Sequence, residues 1–280
     1  MILIDNSQIL ISSIFQSLKD TPTIDDDFIR HIVLNTYRMI RKRFHREYGE
    51  LVICSDSPNP WRKDIFPLYK QNRKEKQKSS GMDWDQIYRS MKTIRDEIME
   101  VFPYKNIKID NAEADDIIAI LARHYHTQEK ILIVSNDKDF QQLQIFPSVQ
   151  QYSTFNKNYL VCSNPALFLC EHIARGDASD GIPNILSTDS SIVDKDKRQN
   201  RLTKKTMADI MSVLENIDTS KYATNWNRNK KLIDFSSIPS YIEDNILEMF
   251  AENHTHSGTI LNYMIEHKLV NLLPNIEEFS

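Results

Sequence analysis

The sequence lacks the hydrophobic patterns that would insert a protein into a membrane or export it. No stretch approaches the roughly 18 consecutive apolar residues of a membrane-spanning helix. The N-terminus has no basic segment followed by an apolar one, which is the pattern of a secretory signal. We therefore expect a cytoplasmic protein with no membrane partner.

Cysteine is scarce, and its spacing excludes two kinds of site. The three cysteines, Cys54, Cys162 and Cys170, form no CxxC pair of the kind that binds zinc or carries out redox chemistry. Their odd number does not support a disulfide framework. We expect all three to be reduced and structural.

The net charge is too small to identify a partner. The 280-residue chain, long enough for one large or two modest domains, carries a net charge of −4. Nucleic-acid-binding domains are usually basic. Nine of the acids are assigned to metal sites below, and without them the rest of the chain carries +5, so the overall sign does not exclude a nucleic-acid partner.

Five carboxylates lie at the two ends of one predicted helix-strand unit, residues 111–140. They are Glu113, Asp115, Asp116, Asp137 and Asp139. The first three fall in the first turn of a helix whose predicted N-cap is Asn111. The last two follow the apolar run ILIV, which is typical of a strand buried on both faces of a parallel sheet. Open α/β sheets hold their ligands beyond this end of their strands.

Two further acids follow apolar runs of the same kind. Residues 2–4 and 51–54 are predicted to be buried strands, and they run into Asp5 and Asp56, while residues 149–161 are predicted to close the sheet as a hairpin. Each acidic cluster alone has an ordinary explanation, because acids in a first helical turn complement the helix dipole and loops after strands are often polar. Three strands that aim carboxylates at one crevice favour a shared site.

Carboxylates packed this closely raise one another's pKa and repel one another, unless cations neutralise them. The paired histidines are spaced i, i+2, which does not put two ligands on one helix face, and surface or packing roles are predicted for them. A set of carboxylate oxygens with few His or Cys nearby suits Mg²⁺ or Mn²⁺ rather than zinc.

Basic and aromatic side chains are interleaved shortly after Asp56. Between residues 62 and 78, seven Lys or Arg stand against two acids. Trp61 directly precedes this segment, and Phe66 and Tyr69 lie in its first half. Runs of charge are usually solvated surface. Basic side chains can also hold phosphates while aromatic rings stack on unpaired bases, so a path for a single strand beside the metals is the other interpretation.

A predicted domain boundary lies at Asn164-Pro165, where a helix begins with proline at its first position. Asp177 and Asp180 follow this helix in the segment GDASDGIPN, and a plain turn is sufficient to explain both acids. From residue 187 to residue 205 the chain is loop-like and then basic.

Six short motifs occur in the order and spacing of the flap endonuclease, or 5′-nuclease, family. They are ILID, VICSD, WR with a following YKQNR, EADD, SNDKDF and GDASDGIPN, and they extend over roughly residues 1–185. The chain resembles this family. The WR pair and the phrases RLTKKTM, LIDFSSIP and IEEF make it similar to bacteriophage members with ribonuclease H activity, and extend the resemblance weakly over the whole chain.

The resemblance implies an α/β fold of the PIN-like 5′-nuclease type. Such a fold has a mostly parallel, twisted sheet flanked by helices, a helical arch over the site, and an all-α C-terminal region with a helix-three-turn-helix element that grips duplex DNA. We expect a 5′-nuclease domain over residues 1–164, with the arch at about 60–82, and a helical duplex-binding domain over residues 165–280.

Carried over position by position, the resemblance assigns nine acids to two Mg²⁺ ions, for which Mn²⁺ can substitute. The acids of the tighter site match Asp5, Asp56, Glu113, Asp115 and Asp137. The acids of the second site match Asp139, Asp177 and Asp180, and Asp116 matches an acid that serves either site.

The resemblance also assigns the residues that contact nucleic acid. The arch positions that steer the 5′ strand and the scissile phosphate match Arg62, Tyr69, Lys70 and Arg73, of which Lys70 and Arg62 are expected to be catalytic. Further contacts are expected at Lys74, Lys195, Lys197, Arg198, Arg201, Lys204 and Lys205. Relatives have a Gly-rich hairpin after GDxSDNIPG that holds a monovalent ion on the duplex. Residues 184–199 contain no glycine, so duplex binding is assigned here to the basic residues from 195 to 205.

The function that the resemblance implies is Mg²⁺-dependent hydrolysis of phosphodiesters in RNA-DNA hybrids and DNA flaps from the 5′ end, removing RNA primers during phage DNA replication in the host cytoplasm. Candidate protein partners are a single-strand-binding protein and a sliding clamp, and a monomer is expected. A PIN-type single-strand ribonuclease and a non-catalytic DNA-structure-binding protein are the alternatives. A phosphatase of the haloacid dehalogenase type ranks last, because it requires Asp-x-Asp after the first strand, and Asp5 is followed by Asn6 and Ser7.

Overall fold

Six short strands form one sheet at the centre of the structure. The computed structural model describes residues 1–20, 23–194, 196–252 and 259–280. The strands are β1 (Ile2–Asp5), β2 (Leu51–Cys54), β3 (Lys105–Ile107), β4 (Ile131–Val134), β5 (Val149–Ser153) and β6 (Asn158–Leu160). They lie in the order β3-β2-β1-β4-β5-β6, and all neighbours are parallel except β5 and β6. The mostly parallel sheet and the hairpin at its edge are therefore confirmed.

Helices cover both faces of the sheet and form the C-terminal part of the chain. Within the described residues the α-helices are α1 (Asn6–Asp20), α2 (Asp26–Tyr48), α3 (Arg62–Ile65), α4 (Gln71–Ser79), α5 (Trp84–Val101), α6 (Ala114–Tyr125), α7 (Pro165–Arg175), α8 (Lys204–Ser212), α9 (Ala223–Ile233), α10 (Ser240–Ala251) and α11 (Ile260–Glu266). Short 3₁₀ helices are found at Lys138–Ile145, Asp189–Ser191, Leu214–Thr219, Phe235–Ser237 and Leu273–Phe279. None of the helices in the described ranges is long and apolar enough to cross a membrane.

The parallel strands are apolar throughout because each of their faces is buried against helices. Successive residues of a strand point to opposite faces. Ile2 and Ile4 of β1 belong to a core with α1, α2 and α5, whereas Leu3 belongs to a second core with α6 and α10. Both faces of β2 and β4 are divided in the same way. Burial on both sides fixes the register of these strands, because a slip by one residue would exchange the two sets of side chains.

Two boundaries predicted around the acidic helix are wrong. The pattern of Ile107 and Ile109 predicts a short strand over residues 107–109, but the strand lies at Lys105–Ile107, and the chain turns after Ile109, where the Ala112 amide donates to its carbonyl oxygen. The helix is capped by Glu113 rather than Asn111, which lies in the turn with a positive φ of 64°. The acids themselves stay at the N-terminus of α6, as the sequence predicts.

The C-terminal helices pack in two different parts of the structure. Helices α7, α8 and α9 form a third core with Phe66 and Tyr69, which come from the segment predicted to be the arch. Beyond residue 234 the chain returns to the sheet: α10 packs on α6, and Tyr263 of α11 donates a hydrogen bond of 2.8 Å to Glu97 of α5. The last residues of the chain therefore complete the cores of the sheet, and the boundary at residue 164 stays a prediction.

Gly176 makes the turn that carries the two C-terminal acids. It has a positive φ of 66°, and a Cβ atom there would lie 2.5 Å from the Pro183 carbonyl oxygen and closer still to that of Ile182. The same turn contains the bridge that pairs Asp177 with Ile182. Only glycine allows the backbone at residue 176 to approach the backbone of Ile182 and Pro183 this closely.

We expect Gly176→Ala to lower the free energy of unfolding by at least about 3 kcal/mol, because it combines an unfavourable φ with a backbone clash. The matched control is Gly81→Ala, at a glycine with φ of 71° and no neighbouring atom within 4 Å, which should cost only about 1 kcal/mol. Denaturant unfolding of both variants measures the difference. Equal losses would show that the turn can open without strain.

Candidate active site

Three neighbouring strands carry acids to one edge of the sheet. Asp5 is the last residue of β1, Asp56 lies two residues beyond β2, and Asp137 lies three residues beyond β4. Since β2, β1 and β4 are adjacent and parallel, their carboxyl ends meet at the same edge. The convergence predicted from the three apolar runs is therefore present.

Helix α6 starts at the same edge and adds three acids with different surroundings. The Asp116 carboxylate accepts a hydrogen bond of 2.9 Å from the Glu113 amide, which forms a capping box. The Ala114 amide donates to Asp56 at 2.7 Å and so ties the helix to the end of β2. Asp115, in the first turn of the helix, interacts electrostatically with Asp137 and Asp5.

The inner carboxylates, Asp5, Asp56, Asp115 and Asp137, form an electrostatically strained group. Burial, together with the charges of Asp56 and Asp137, raises the pKa of Asp5 to about 7. Burial and the charge of Asp139 raise the pKa of Asp137 to about 6. Burial also raises the pKa of Asp115, with further contributions from Asp137 and Asp5. In the described ranges none of these four carboxylates forms an ion pair with a basic side chain, so no direct ion pair offsets the negative charge at this edge.

Arg62 lies in the interior, where it compensates the other two acids of α6. Its guanidinium donates to Glu113 at 2.8 Å, forms an ion pair of 2.8 Å with Asp116, and donates to the Leu232 carbonyl oxygen at 2.8 Å. The side chain is only 4% exposed and stacks on Trp61, whose indole also donates to Asp116. Asp116 is fully buried in this network. Through these contacts Arg62 of α3 links the start of α6 to α9.

Three other residues of the segment predicted to be the arch contact the acids directly. The Lys70 ammonium forms ion pairs with Glu113 and, at 3.5 Å, with Asp180. The Tyr69 hydroxyl lies 3.0 Å from a carboxylate oxygen of each of these acids, and Arg73 pairs with Asp180. Burial alone would raise the pKa of Glu113, but the charges of Lys70 and Arg62 outweigh it and lower the pKa to about 2. Lys70 thus lies between Glu113, at the start of α6, and Asp180, in the turn after α7.

Asp139 and Asp177 form the outer part of the cluster together with His172, which belongs to none of the acidic motifs of the sequence. Nε2 of His172 lies 2.9 Å from Asp139 and 3.7 Å from Asp177. Burial would raise the pKa of Asp177, but hydrogen bonds from Ser179 and Lys138 outweigh it and lower the pKa. The available sequence signal was a lone histidine in the last turn of a helix that leads directly into GDASD.

The basic stretch predicted to bind duplex lies on the surface. Its described members Lys197, Arg198, Arg201, Lys204 and Lys205 are exposed, as is Lys74 of α4, whereas Lys195 lies outside the described residues. Hydrogen bonds from the Asn184 amide to Gln199 and from the Asn184 side chain to the Asn200 carbonyl tie the loop to the segment GDASDGIPN. The loop is therefore anchored next to the acid-bearing turn.

Comparisons with known protein families cover nearly the whole chain. Residues 1–166 match a family model described as the N-terminal resolvase-like domain of 5′-3′ exonucleases, and residues 163–279 match one described as the C-terminal part of phage T4 RNase H. The chain is 30% identical to the ribonuclease H of Enterobacteria phage T4, over 99% of this chain and 95% of that protein. It is 28% identical to a flap endonuclease Xni from a Shewanella strain, over 62% of this chain and 65% of the relative.

Solved structures with a similar fold come from bacteriophage T5. Its flap endonuclease, in a pseudo-enzyme-product complex with DNA and metal ions, has a TM-score of 0.67 at 17% identity, over 90% of this chain and 99% of that one. The T5 5′-exonuclease with zinc bound has a TM-score of 0.65 at 17% identity, over 89% and 96% of the two chains. At this level of identity the similarity concerns the fold. From the family models and the match along its whole length, the chain belongs to the 5′-3′ exonuclease family of metal-dependent nucleases.

Proposed function

We propose that the protein is a 5′-nuclease that uses two Mg²⁺ ions, or Mn²⁺ in their place, to hydrolyse phosphodiesters of RNA-DNA hybrids and DNA flaps from the 5′ end. The observation that carries this proposal is the group of four inner carboxylates at the ends of adjacent parallel strands and at the start of α6. Three of them have raised pKa values, and none has a basic partner among the described residues. Binding of cations relieves this repulsion.

The donor set fits hard divalent ions. The proposed inner ligands are Asp5, Asp56, Asp115 and Asp137, all of which offer carboxylate oxygens. Asp139, Asp177 and Asp180 are the proposed acids of the second position. Glu113 and Asp116, already paired with Arg62, are proposed to support the inner ligands through the geometry of α6. When bound, divalent ions make a water molecule more acidic and offset negative charge on the phosphate.

Lys70 is the proposed catalytic cation of the protein itself. Its backbone adopts the left-handed conformation with φ of 56°, and its amide donates to the Asp180 carbonyl oxygen at 2.7 Å. A non-glycine residue held in this conformation stores about 1–2 kcal/mol of strain. The side chain is 20% exposed, so its ammonium can exchange a carboxylate for the scissile phosphate and stabilise the charge that develops there.

We propose a different role for Arg62 from the one expected at first. It is almost fully buried, and its N–H groups donate to Glu113, Asp116 and the Leu232 carbonyl oxygen. A guanidinium in this position orients the acids of α6 without touching substrate. Arg62 is therefore assigned as a positioning residue, with Lys70 and Arg73 as the cations nearest to the substrate.

The substrate assignment rests on the exposed basic residues and on the named activities of relatives. The relatives are called ribonuclease H and flap endonuclease, and a T5 structure contains DNA. Arg73, Lys74 and the basic stretch from residue 195 to residue 205 are proposed to bind the nucleic-acid backbone. Removal of RNA primers during phage DNA replication in the host cytoplasm, by a monomer that meets a single-strand-binding protein and a sliding clamp, is the proposed setting.

The experiment that tests the function is product mapping on two substrates with matched sequences. One is a 5′-labelled DNA flap duplex and the other an RNA-primed duplex, each with Mg²⁺ and with chelator. Short products released from the 5′ end of both substrates, only with Mg²⁺, are expected. Cleavage of unstructured RNA alone would favour a single-strand ribonuclease, and binding without cleavage would favour a structure-binding protein.

Asp137→Asn should abolish most cleavage while it stabilises the metal-free protein. The amide oxygen keeps the hydrogen bond that the Asp139 amide donates at 2.9 Å, whereas the charge is lost. In Mg²⁺ the single-turnover rate should fall at least about 100-fold, with substrate affinity changed less than about threefold. In chelator at pH 8 the free energy of unfolding should rise by about 1–2 kcal/mol.

The control is Asp244→Asn, at an exposed acid of α10, which should change neither quantity. Turnover of Asp137→Asn close to that of the wild type would remove Asp137 from the proposed ligands.

The metal-free protein should lose stability as the pH rises from 5.5 to 8. Asp5 and Asp137 have folded-state pKa values of about 7 and about 6, above the ordinary value of 3.8, so in this range the folded state binds more protons than the unfolded state. The free energy of unfolding should therefore fall with rising pH, by about 1–3 kcal/mol. Denaturant unfolding in chelator measures it. Saturating Mg²⁺, or the Asp137→Asn change, should reduce the fall, and a rise in stability over this range would contradict the proposed repulsion.

Lys70→Ala should slow the chemical step more than it weakens binding. Loss of one cation that stabilises transition-state charge costs about 100-fold in rate. We expect this decrease in single-turnover cleavage of a 5′ flap, with a change in Kd below about threefold, and no comparable decrease in Lys76→Ala on the exposed face of α4. If the rate and the affinity of Lys70→Ala fall together, Lys70 positions the substrate instead.

A further inference from the structure

His172 is a buried imidazole that points into the outer group of acids. It lies in the last turn of α7, is 5% exposed, and packs against Phe168 with 5.6 Å between ring centroids. Nε2 is 2.9 Å from an Asp139 oxygen and 3.7 Å from an Asp177 oxygen. The ring is thus held on the acid side of the helix rather than in an apolar core.

The three side chains have the spacing of ligands to one ion. Their donor atoms all lie within 4.8 Å of one another. Two atoms bonded to the same ion at about 2.0–2.4 Å are at most about 4–5 Å apart. Asp139 comes from the 3₁₀ helix after β4, His172 from α7 and Asp177 from the turn after α7, so three different parts of the fold each contribute one donor.

A basic side chain already compensates this group. The Lys138 ammonium lies 3.0 Å from Asp177, and the side chain is half exposed. It can move into solvent when another cation occupies the space between the three donors. The outer position therefore attracts positive charge, as the inner one does, but it offers a nitrogen atom in addition to oxygens.

We propose that His172 is a ligand of the outer metal position and makes that position prefer a first-row transition ion, such as Mn²⁺, over Mg²⁺. This inference rests on the proposed two-ion nuclease function and refines it. Mg²⁺ takes oxygen ligands almost exclusively, whereas imidazole nitrogen is a good ligand for transition ions. The inner position, with carboxylates alone, keeps the preference for Mg²⁺, so the two positions differ in the ion they select.

The direct test is pulsed electron paramagnetic resonance of the full chain loaded with two equivalents of Mn²⁺. Electron spin echo envelope modulation detects ¹⁴N bonded to Mn²⁺. The wild type should show ¹⁴N modulation, His172→Gln should lose it, and His124→Gln, which changes an exposed histidine of α6, should keep it. Competition titrations should show the Mn²⁺/Mg²⁺ selectivity of one of the two sites reduced about tenfold in His172→Gln only.

Each outcome decides the inference. Absence of ¹⁴N modulation in the wild type overturns it whether or not the variant folds. Weaker Mn²⁺ binding in His172→Gln without ¹⁴N modulation in the wild type shows that His172 only orients Asp139 through a hydrogen bond, which also overturns it. Flap cleavage assayed on the same samples distinguishes failure of the His172 proposal from failure of the proposed nuclease function. Metal-dependent cleavage without nitrogen ligation contradicts only the role of His172, whereas absence of cleavage contradicts the nuclease function.

Discussion

Repulsion among carboxylates at one edge of the sheet is the constraint on which the rest of the structure depends. Asp5, Asp56 and Asp137 are brought together because β1, β2 and β4 are parallel neighbours, and α6 adds Asp115. The sheet fixes the positions of these side chains, because strands buried on both faces cannot change register without exposing their apolar residues. The fold therefore holds the negative charge in place, and the energy that it costs becomes available to any divalent cation that binds there.

The segment predicted to be the arch supplies the opposite charge, but in two distinct ways. Arg62 is immobilised by Glu113, Asp116 and the Leu232 carbonyl oxygen, so it fixes the helix that carries the acids. Lys70 pairs with the same Glu113 from a partly exposed position, which is why it is the cation proposed to contact the scissile phosphate. One of the two cations is thus buried inside the structure, and the other stays partly exposed beside the acids. The C-terminal part contributes to both, because α9 accepts the hydrogen bond from Arg62 and the turn after α7 supplies Asp180.

Much of this arrangement could be predicted from the sequence, and the parts that could not have physical reasons. The apolar runs before Asp5, Asp56 and Asp137 predict both the parallel strands and the common edge, because periodicity and burial are local signals. The burial of Arg62 could not be read from its place in a basic segment, since it depends on packing against a helix 170 residues later. The proximity of His172 to Asp139 likewise depends on how α7 packs beside the 3₁₀ helix after β4. Local pattern thus located the acids, and tertiary packing determined what surrounds each of them.

The most direct test of the central claim, that the edge of the sheet holds divalent cations, is anomalous diffraction from crystals grown with Mn²⁺. The expected result is a strong anomalous peak bounded by Asp5, Asp56, Asp115 and Asp137, absent from crystals grown in chelator. Full Mn²⁺ occupancy elsewhere on the molecule, with no peak among these four carboxylates, would contradict the claim.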